Sequence, residues 1–225
     1  MLLRGVRQRM PRGRKVYHRT MDGSPDLTAF ILAGGKSKRM GTDKALVEYG
    51  GRTLLVRALD LARSITSAVS VVGSGEKFAP FAPVVEDVFC DCGPLGGIHA
   101  ALSASRTQLN LILAVDMPFV SSTFLRYLTR QAAGAPEALA TVPRGEGGWQ
   151  PLCAIYRREF AVAAEAALRA GRYRIDRLFD QVRTRVLDRE ELEGAGFSSV
   201  LFRNFNTPEQ LEGEPRLTGS REFWS

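Results

Sequence analysis

Apolar positions along this chain fall into two rhythms. Short apolar runs at 27–33 (LTAFILA), 68–72 and 109–115 (LNLILAV) end against glycine or charge and read as buried strands, with a shorter one at 83–87. Between them the spacing turns helical. Leu54, Leu55, Ala58, Leu59 and Ala62 share one face of a helix predicted over 53–64, with Thr53 at its start. A second helix is predicted from the break at 93–97 (GPLGG) to Ala104, and a third, capped one over 121–133.

After Gly134 the pattern loosens. Strands are expected at 139–142 and 150–156 around a polar loop at 144–148. A helix follows over 159–169, another starts within 171–179, and a strand is placed at 185–187. Thr207 and Pro208 open an expected terminal helix, as N-cap and first helical residue.

Strands alternating with helices predict an α/β fold, a mostly parallel sheet covered on both faces. Ligands of such sheets sit beyond the carboxyl ends of the strands. Three features fall at such ends: the glycine loop after the first strand, Asp87 after the third and Asp116 after the fourth.

At 225 residues the chain suits one domain with a sizeable core. With 44% hydrophobic and 24% charged residues it is no disordered chain, and no apolar run approaches a membrane-spanning length. Three cysteines and two histidines argue against a disulfide scaffold and predict a reducing, cytoplasmic setting. The net charge of +7 is uneven. Residues 1–26 hold seven Lys/Arg against Asp22 and Asp26, so the rest of the chain is nearly neutral. The expected division is a disordered basic leader at 1–26, a domain at 27–212 and a tail at 213–225. Nucleic-acid binding through the leader is the less favoured reading, and Met10 and Met21 offer alternative starts.

The densest chemistry lies in residues 32–44, Leu-Ala-Gly-Gly-Lys-Ser-Lys-Arg-Met-Gly-Thr-Asp-Lys. Glycines after a strand let backbone N–H groups approach a ligand and form an anion nest. Lys36, Lys38, Arg39 and Lys44 add cations suited to a triphosphate. The loop is neither a Walker A loop nor a dinucleotide fingerprint. Asp116 is the first candidate for a Mg²⁺ ligand, since that ion takes one or two carboxylates beside phosphates. No Ser–His–Asp arrangement is legible.

The string resembles the signature of nucleotidylyltransferases that activate sugars and cofactors, and most of all that of the molybdenum cofactor guanylyltransferases. Glu86-Asp87, Gly93-Pro94-Leu95-Gly96-Gly97, Asp116-Met117-Pro118 and Asn204-Phe205-Asn206-Thr207-Pro208 agree with it. The resemblance covers about 27–212. It implies a three-layer α/β/α Rossmann-like nucleotide-diphospho-sugar transferase fold and transfer of GMP from GTP to molybdopterin-bound cofactor, with pyrophosphate leaving. It implies GTP contacts from Leu32, Ala33, Gly34, Gly35, Lys44, Asp87 and Asp116, catalysis by Arg39, Lys44 and Asp116, and acceptor contacts from Asn204 and Asn206. Mg²⁺ on Asp116, cofactor-biosynthesis proteins or a recipient molybdoenzyme as partners, and no membrane attachment follow in the same way.

Cytidylyl-transferring relatives tend to carry Leu-Ala-Ala-Gly, so Gly34-Gly35 favours GTP over CTP. The family often has an asparagine after the second strand; here Gly73 and Ser74 follow Val72, and Ser74 is the candidate replacement. Residues 150–152 and Arg172 to Arg174 are further candidates on the acceptor side. Trp149 is a candidate for packing on a planar ligand, though partial burial without function is favoured. Cys90-Asp91-Cys92 reads as two loop thiols rather than a zinc site, and His99 as a helix surface or core residue. The rival readings are a cytidylyl- or sugar-phosphate nucleotidylyltransferase of the same fold, a phosphate- or nucleic-acid-binding module, and a carrier that holds the cofactor without transfer.

Overall fold

The computed structural model describes residues 26–34 and 43–204. The leader, the loop residues Gly35, Lys36, Lys38 and Arg39, the helix expected at Thr207, Asn206 and the tail lie outside the described residues.

The chain enters on β1 (Leu27–Leu32). A single 3-10 turn (Lys44–Leu46) leads to the hairpin β2 (Glu48–Tyr49) and β3 (Arg52–Thr53), which turns at Gly50 and Gly51, both at positive φ. Helix α1 (Leu54–Arg63) follows, starting one residue later than predicted because Thr53 is its cap, accepting from the Val56 N–H at 3.2 Å. Then come β4 (Val69–Val72), the one-turn α2 (Gly75–Phe78), β5 (Val84–Val85), α3 (Pro94–Ala104), β6 (Leu109–Ala114) and α4 (Ser122–Gly134). The second half holds β7 (Ala140–Gly145), β8 (Gly148–Trp149), β9 (Cys153–Arg157), α5 (Phe160–Arg169), α6 (Asp176–Phe179), β10 (Thr184–Leu187) and α7 (Arg189–Gly194), and ends in a 3-10 turn (Ser199–Phe202).

The main sheet runs β10-β7-β9-β6-β1-β4-β5, with β8 paired to β7. Neighbours along this order are parallel except around β9, which is antiparallel to both β6 and β7; the short β8 is antiparallel to β7. The sheet is therefore mostly parallel, as predicted, with one reversed strand inset. The alternation of side chains along each strand splits the core in two. Ala29, Ile31, Val71, Leu111 and Leu113 pack with α1 and α4 on one face. Phe30, Leu32, Val72 and Ile112 pack with α3 and α5 on the other. Both faces being covered, the central strands are mostly apolar, with Thr28, Ser70 and the buried Asn110 as exceptions, which is why they were legible as nearly continuous runs.

Three expectations change in the second half. The strand expected at 150–156 begins only at Cys153, because Gln150 to Leu152 form a turn closed by the Cys153 N–H donating to the Gln150 carbonyl. Proline at 151 has no N–H to give to a ladder. The helix expected within 171–179 shrinks to α6, preceded by a non-helical stretch at 172–174. Helix α7, capped by Asp188 through the Glu191 N–H at 2.9 Å, was not anticipated.

Candidate active site

The carboxyl ends of β1, β4, β5 and β6 open onto one cleft with two chambers. Backbone bonds hold its rim: the Ala33 N–H donates to the Val72 carbonyl and the Val115 N–H to the Leu32 carbonyl. The first chamber, about 200 Å³, is lined by Leu32, Gly34, Lys44, Pro94, Asp116 and Leu152. The second, about 460 Å³, is lined by Gly34, Ser74, Lys77, Asp87, Asp91 and Gly93. Ala33, Gly34 and Asp43 border both, so the chambers are continuous.

In the first chamber the Lys44 ammonium donates to Asp116 Oδ2 at 2.6 Å, across 72 positions of sequence, with both side chains 22% exposed. Asp116 stands two residues beyond β6 and Lys44 opens the 3-10 turn after the glycine loop. The pair thus joins two of the three predicted strand-end features. Asp43 works on the loop: Oδ1 accepts from the Ala45 N–H at 3.2 Å and Oδ2 pairs with Lys77 at 2.8 Å. Lys77 was missed by sequence reasoning; nothing in the short GEKF segment marks it until the fold brings α2 beside Asp43.

Asp87 faces the second chamber. Burial pushes its carboxyl above the usual carboxylate range. Its Oδ1 lies beside the first turn of α3, where a Cβ on Gly97 would come within 3.5 Å of it. The loop that carries Asp87 packs closer still to Gly96, where a Cβ would stand 2.8 Å from the Phe89 carbonyl oxygen. Here glycine is required by close approach. Gly34 differs: a Cβ there would meet Gly73 Cα and the Val72 carbonyl at 3.8 Å, an ordinary contact. Among the described residues there is room for a methyl at 34, so there the glycine serves the space of the chamber rather than their packing. Ser74 stands before α2 without a side-chain capping bond and lines the chamber, where its hydroxyl can replace the asparagine amide.

Other candidates divide. Leu152 reaches the first chamber, its carbonyl accepting from the Ala114 N–H at 2.7 Å. Asn204 is exposed and lines neither chamber; it follows Arg203, whose guanidinium is 5.9 Å from the Phe119 ring just past Asp116. Arg174 is tied to Asp176. His99 is buried, with Nε2 at 3.3 Å from the Ser103 hydroxyl and its ring edge on Phe89. Cys153 is buried and its thiol is pushed up to about 12 by desolvation, which keeps it inert. Among the described residues no group of three or more His, Cys, Asp or Glu side chains is placed to hold a metal ion.

A divalent ion held chiefly by phosphates needs few protein ligands. Asp116 fits that role, because Lys44 engages only one of its two oxygens.

A small chamber with a cation–carboxylate pair, joined to a larger one lined by Asp87 and Asp91, fits the nucleotidyl-transfer class on this sheet. The comparisons say the same. Residues 29–186 match the MobA-like NTP transferase domain, and the chain belongs to that family. A curated relative named "Probable molybdenum cofactor guanylyltransferase" from Pelotomaculum thermopropionicum is 36% identical over 186 residues, 82% of this chain and 89% of the relative. The molybdenum cofactor guanylyltransferase of Syntrophotalea carbinolica is 33% identical, covering 82% of this chain and 89% of its own length. The crystal structure of molybdopterin-guanine dinucleotide biosynthesis protein A from Archaeoglobus fulgidus aligns with TM-score 0.70 at 26% identity, over 82% of this chain and 95% of that one. A cytidylyltransferase from Thermus thermophilus, at 18% identity and TM-score 0.59, shares the fold. Among the described residues no helix is long and apolar enough to cross a membrane.

Proposed function

We propose that this chain transfers GMP from GTP to the phosphate of molybdopterin-bound molybdenum cofactor, forming the guanine dinucleotide and releasing pyrophosphate. The observation that carries the chemistry is the Lys44–Asp116 pair at 2.6 Å in the smaller chamber. The names borne by the relatives supply the substrates.

The acceptor phosphate is already a nucleophile at neutral pH, so no general base is needed. One of its oxygens bonds to the α-phosphorus of GTP while the α–β bridging P–O bond breaks, and the leaving pyrophosphate takes that electron pair. Two anions must meet in line, which calls for charge neutralisation and positioning. Lys44 meets charge developing on the phosphates. Asp116 holds Lys44 in place and, with its second oxygen, is the residue that would hold Mg²⁺. That ion, when bound, neutralises phosphate charge and orients the reacting groups. Asp87, desolvated in the larger chamber, is suited to accept from the guanine ring N–H and amino group, and the missing methyl at Gly34 leaves room for the larger base. Arg39 and Gly35 would complete the phosphate contacts from the loop, and Asn204 and Asn206 the acceptor contacts.

Thermal unfolding with each of GTP, CTP, ATP and UTP, with and without Mg²⁺, tests this reading. Ligand at a hundred times its dissociation constant adds about 2.7 kcal/mol of stability, an easily resolved shift. A Mg²⁺-dependent shift with GTP alone is expected. A CTP-selective shift would transfer the chain to the cytidylyl branch of the fold.

A further inference from the structure

A third cavity, about 400 Å³, lies beside the cleft and belongs to neither chamber. It is lined by Trp149 and Pro151, by Tyr173, Ile175 and Asp176, and by Gly147 and Gly148. Pro151 and Leu152 are adjacent in sequence, so the 149–152 segment is a shared wall: Pro151 lines this cavity and Leu152 lines the chamber of Lys44 and Asp116.

Tyr173 is exposed, and Trp149 is half-buried, packed on one side against the core. Tyr173 is 48% exposed, although the core closes beneath it at buried Ile175 and Phe179. Its hydroxyl lies beside the Cys92 sulfur, in the loop that also carries Asp87 and Asp91. Trp149 rests against Phe179 at 4.8 Å between centroids, and its other contact is the exposed Arg144 guanidinium, 5.0 Å from the ring. An exposed guanidinium over a half-buried ring is held weakly, and a flat heteroaromatic ring stacks on the same face more strongly. The displaced Arg144 would stay at the rim as a counter-cation for an anionic ligand.

The cavity also offers one carboxylate. Asp176 pairs with Arg174 at 2.6 and 3.2 Å, an exposed contact that contributes little to stability and can be shared with a ligand. A carboxylate accepts two parallel N–H bonds. The pyrimidine half of a pteridine presents such a pair, its amino group and the adjacent ring N–H.

We propose that this cavity seats the pteridine ring of the acceptor, with Trp149 and Tyr173 stacking on it and Asp176 accepting from its amino and ring N–H groups. This deepens, and rests on, the guanylyl-transfer reading. Guanine then sits at Asp87 and pteridine at Asp176, on two sides of the 87–93 loop that meets Tyr173 at Cys92, and the phosphates meet at Lys44 and Asp116.

The test uses the full chain and 6-carboxypterin as a fluorescent probe, read by anisotropy, alongside GTP-induced melting shifts. Asp176→Asn and Tyr173→Ala are each expected to weaken pterin binding about tenfold or more, since either leaves donors or a ring face unmatched, while the GTP shift persists. Asp176→Glu should restore most of the pterin affinity, which a fold defect would not allow. In Asp87→Asn the GTP shift should fall and the pterin titration persist. Pterin binding lost in Asp87→Asn but kept in Asp176→Asn would place the ring in the other chamber and overturn the assignment. Absence of pterin binding to the unaltered chain would overturn it too. If the pterin binds through Asp176 and Tyr173 while GTP gives no shift, the guanylyl-transfer reading fails and the pteridine site stands.

Discussion

The two halves of the sheet build their sites from different materials. On the β5-β4-β1-β6 side every strand is parallel, and the site comes from strand ends: backbone at Ala33 and Gly34, and charge at Lys44, Asp87 and Asp116. On the β9-β7-β10 side one strand is reversed, and the cavity comes from side chains on three separate segments, Trp149 on β8, Pro151 in a turn, and Tyr173 and Asp176 before and at the start of α6. The first kind of site tolerates little change at its glycines and suits a ligand common to many relatives. The second can be rewritten residue by residue, which suits an acceptor that differs from one enzyme to the next.

Breaking the ion pair of the first half should have the largest effect. Asp116→Ala and Lys44→Ala are each expected to lower kcat by about 10²–10³-fold or more in a GMP-transfer assay, with melting temperatures close to the parent. Burial under the first half comes next. Leu111 is fully buried among the residues facing α1 and α4, so Leu111→Ala should cost about 2–5 kcal/mol in denaturant unfolding. A smaller loss is expected in the second half. The Tyr156 hydroxyl donates to the Pro151 carbonyl at 2.9 Å, holding the wall shared by the cleft and the aromatic cavity. Tyr156→Phe should cost about 1 kcal/mol and weaken pterin binding more than GTP binding.

The glycines sharpen the contrast further. Gly34→Ala should leave stability nearly unchanged while weakening the GTP melting shift, because only the ligand meets the added methyl. Gly96→Ala should perturb both, because the Phe89 carbonyl stands 2.8 Å from the new atom.

The smallest expected effect concerns pH. Burial raises the Asp87 pKa in the folded chain above its unfolded value. The stability linked to it is therefore complete below about pH 3.9, where the unfolded carboxyl is neutral, and is lost as pH rises through the raised folded pKa. Asp87→Asn, which stays neutral, should melt higher than the parent at pH 7. The advantage should vanish when both are melted below pH 4.

Much of the first half was legible in the sequence. Strands buried on both faces write themselves as continuous apolar runs, and a loop built from backbone shows its glycines. The Lys44–Asp116 contact itself was not legible, since 72 residues separate partners that only the β1–β6 register brings together. The second half hid more. Its strands are interrupted by the proline turn at 151, and Tyr173 sits in a stretch that helical spacing claims but that lies outside α6. Trp149 could be singled out as a residue, but not paired with Tyr173 or Asp176. Lys77 and α7 depend on a neighbour distant in sequence and on local capping, which periodicity does not record.

The most direct test of the central claim is transfer from GTP labelled at the α-phosphate to freshly generated molybdenum cofactor by the purified chain, with and without Mg²⁺. The account predicts label in a guanine dinucleotide, matched by released pyrophosphate, and its loss on Asp116→Ala or on chelation. GTP consumed without a labelled dinucleotide, or unimpaired transfer by Asp116→Ala, would contradict it.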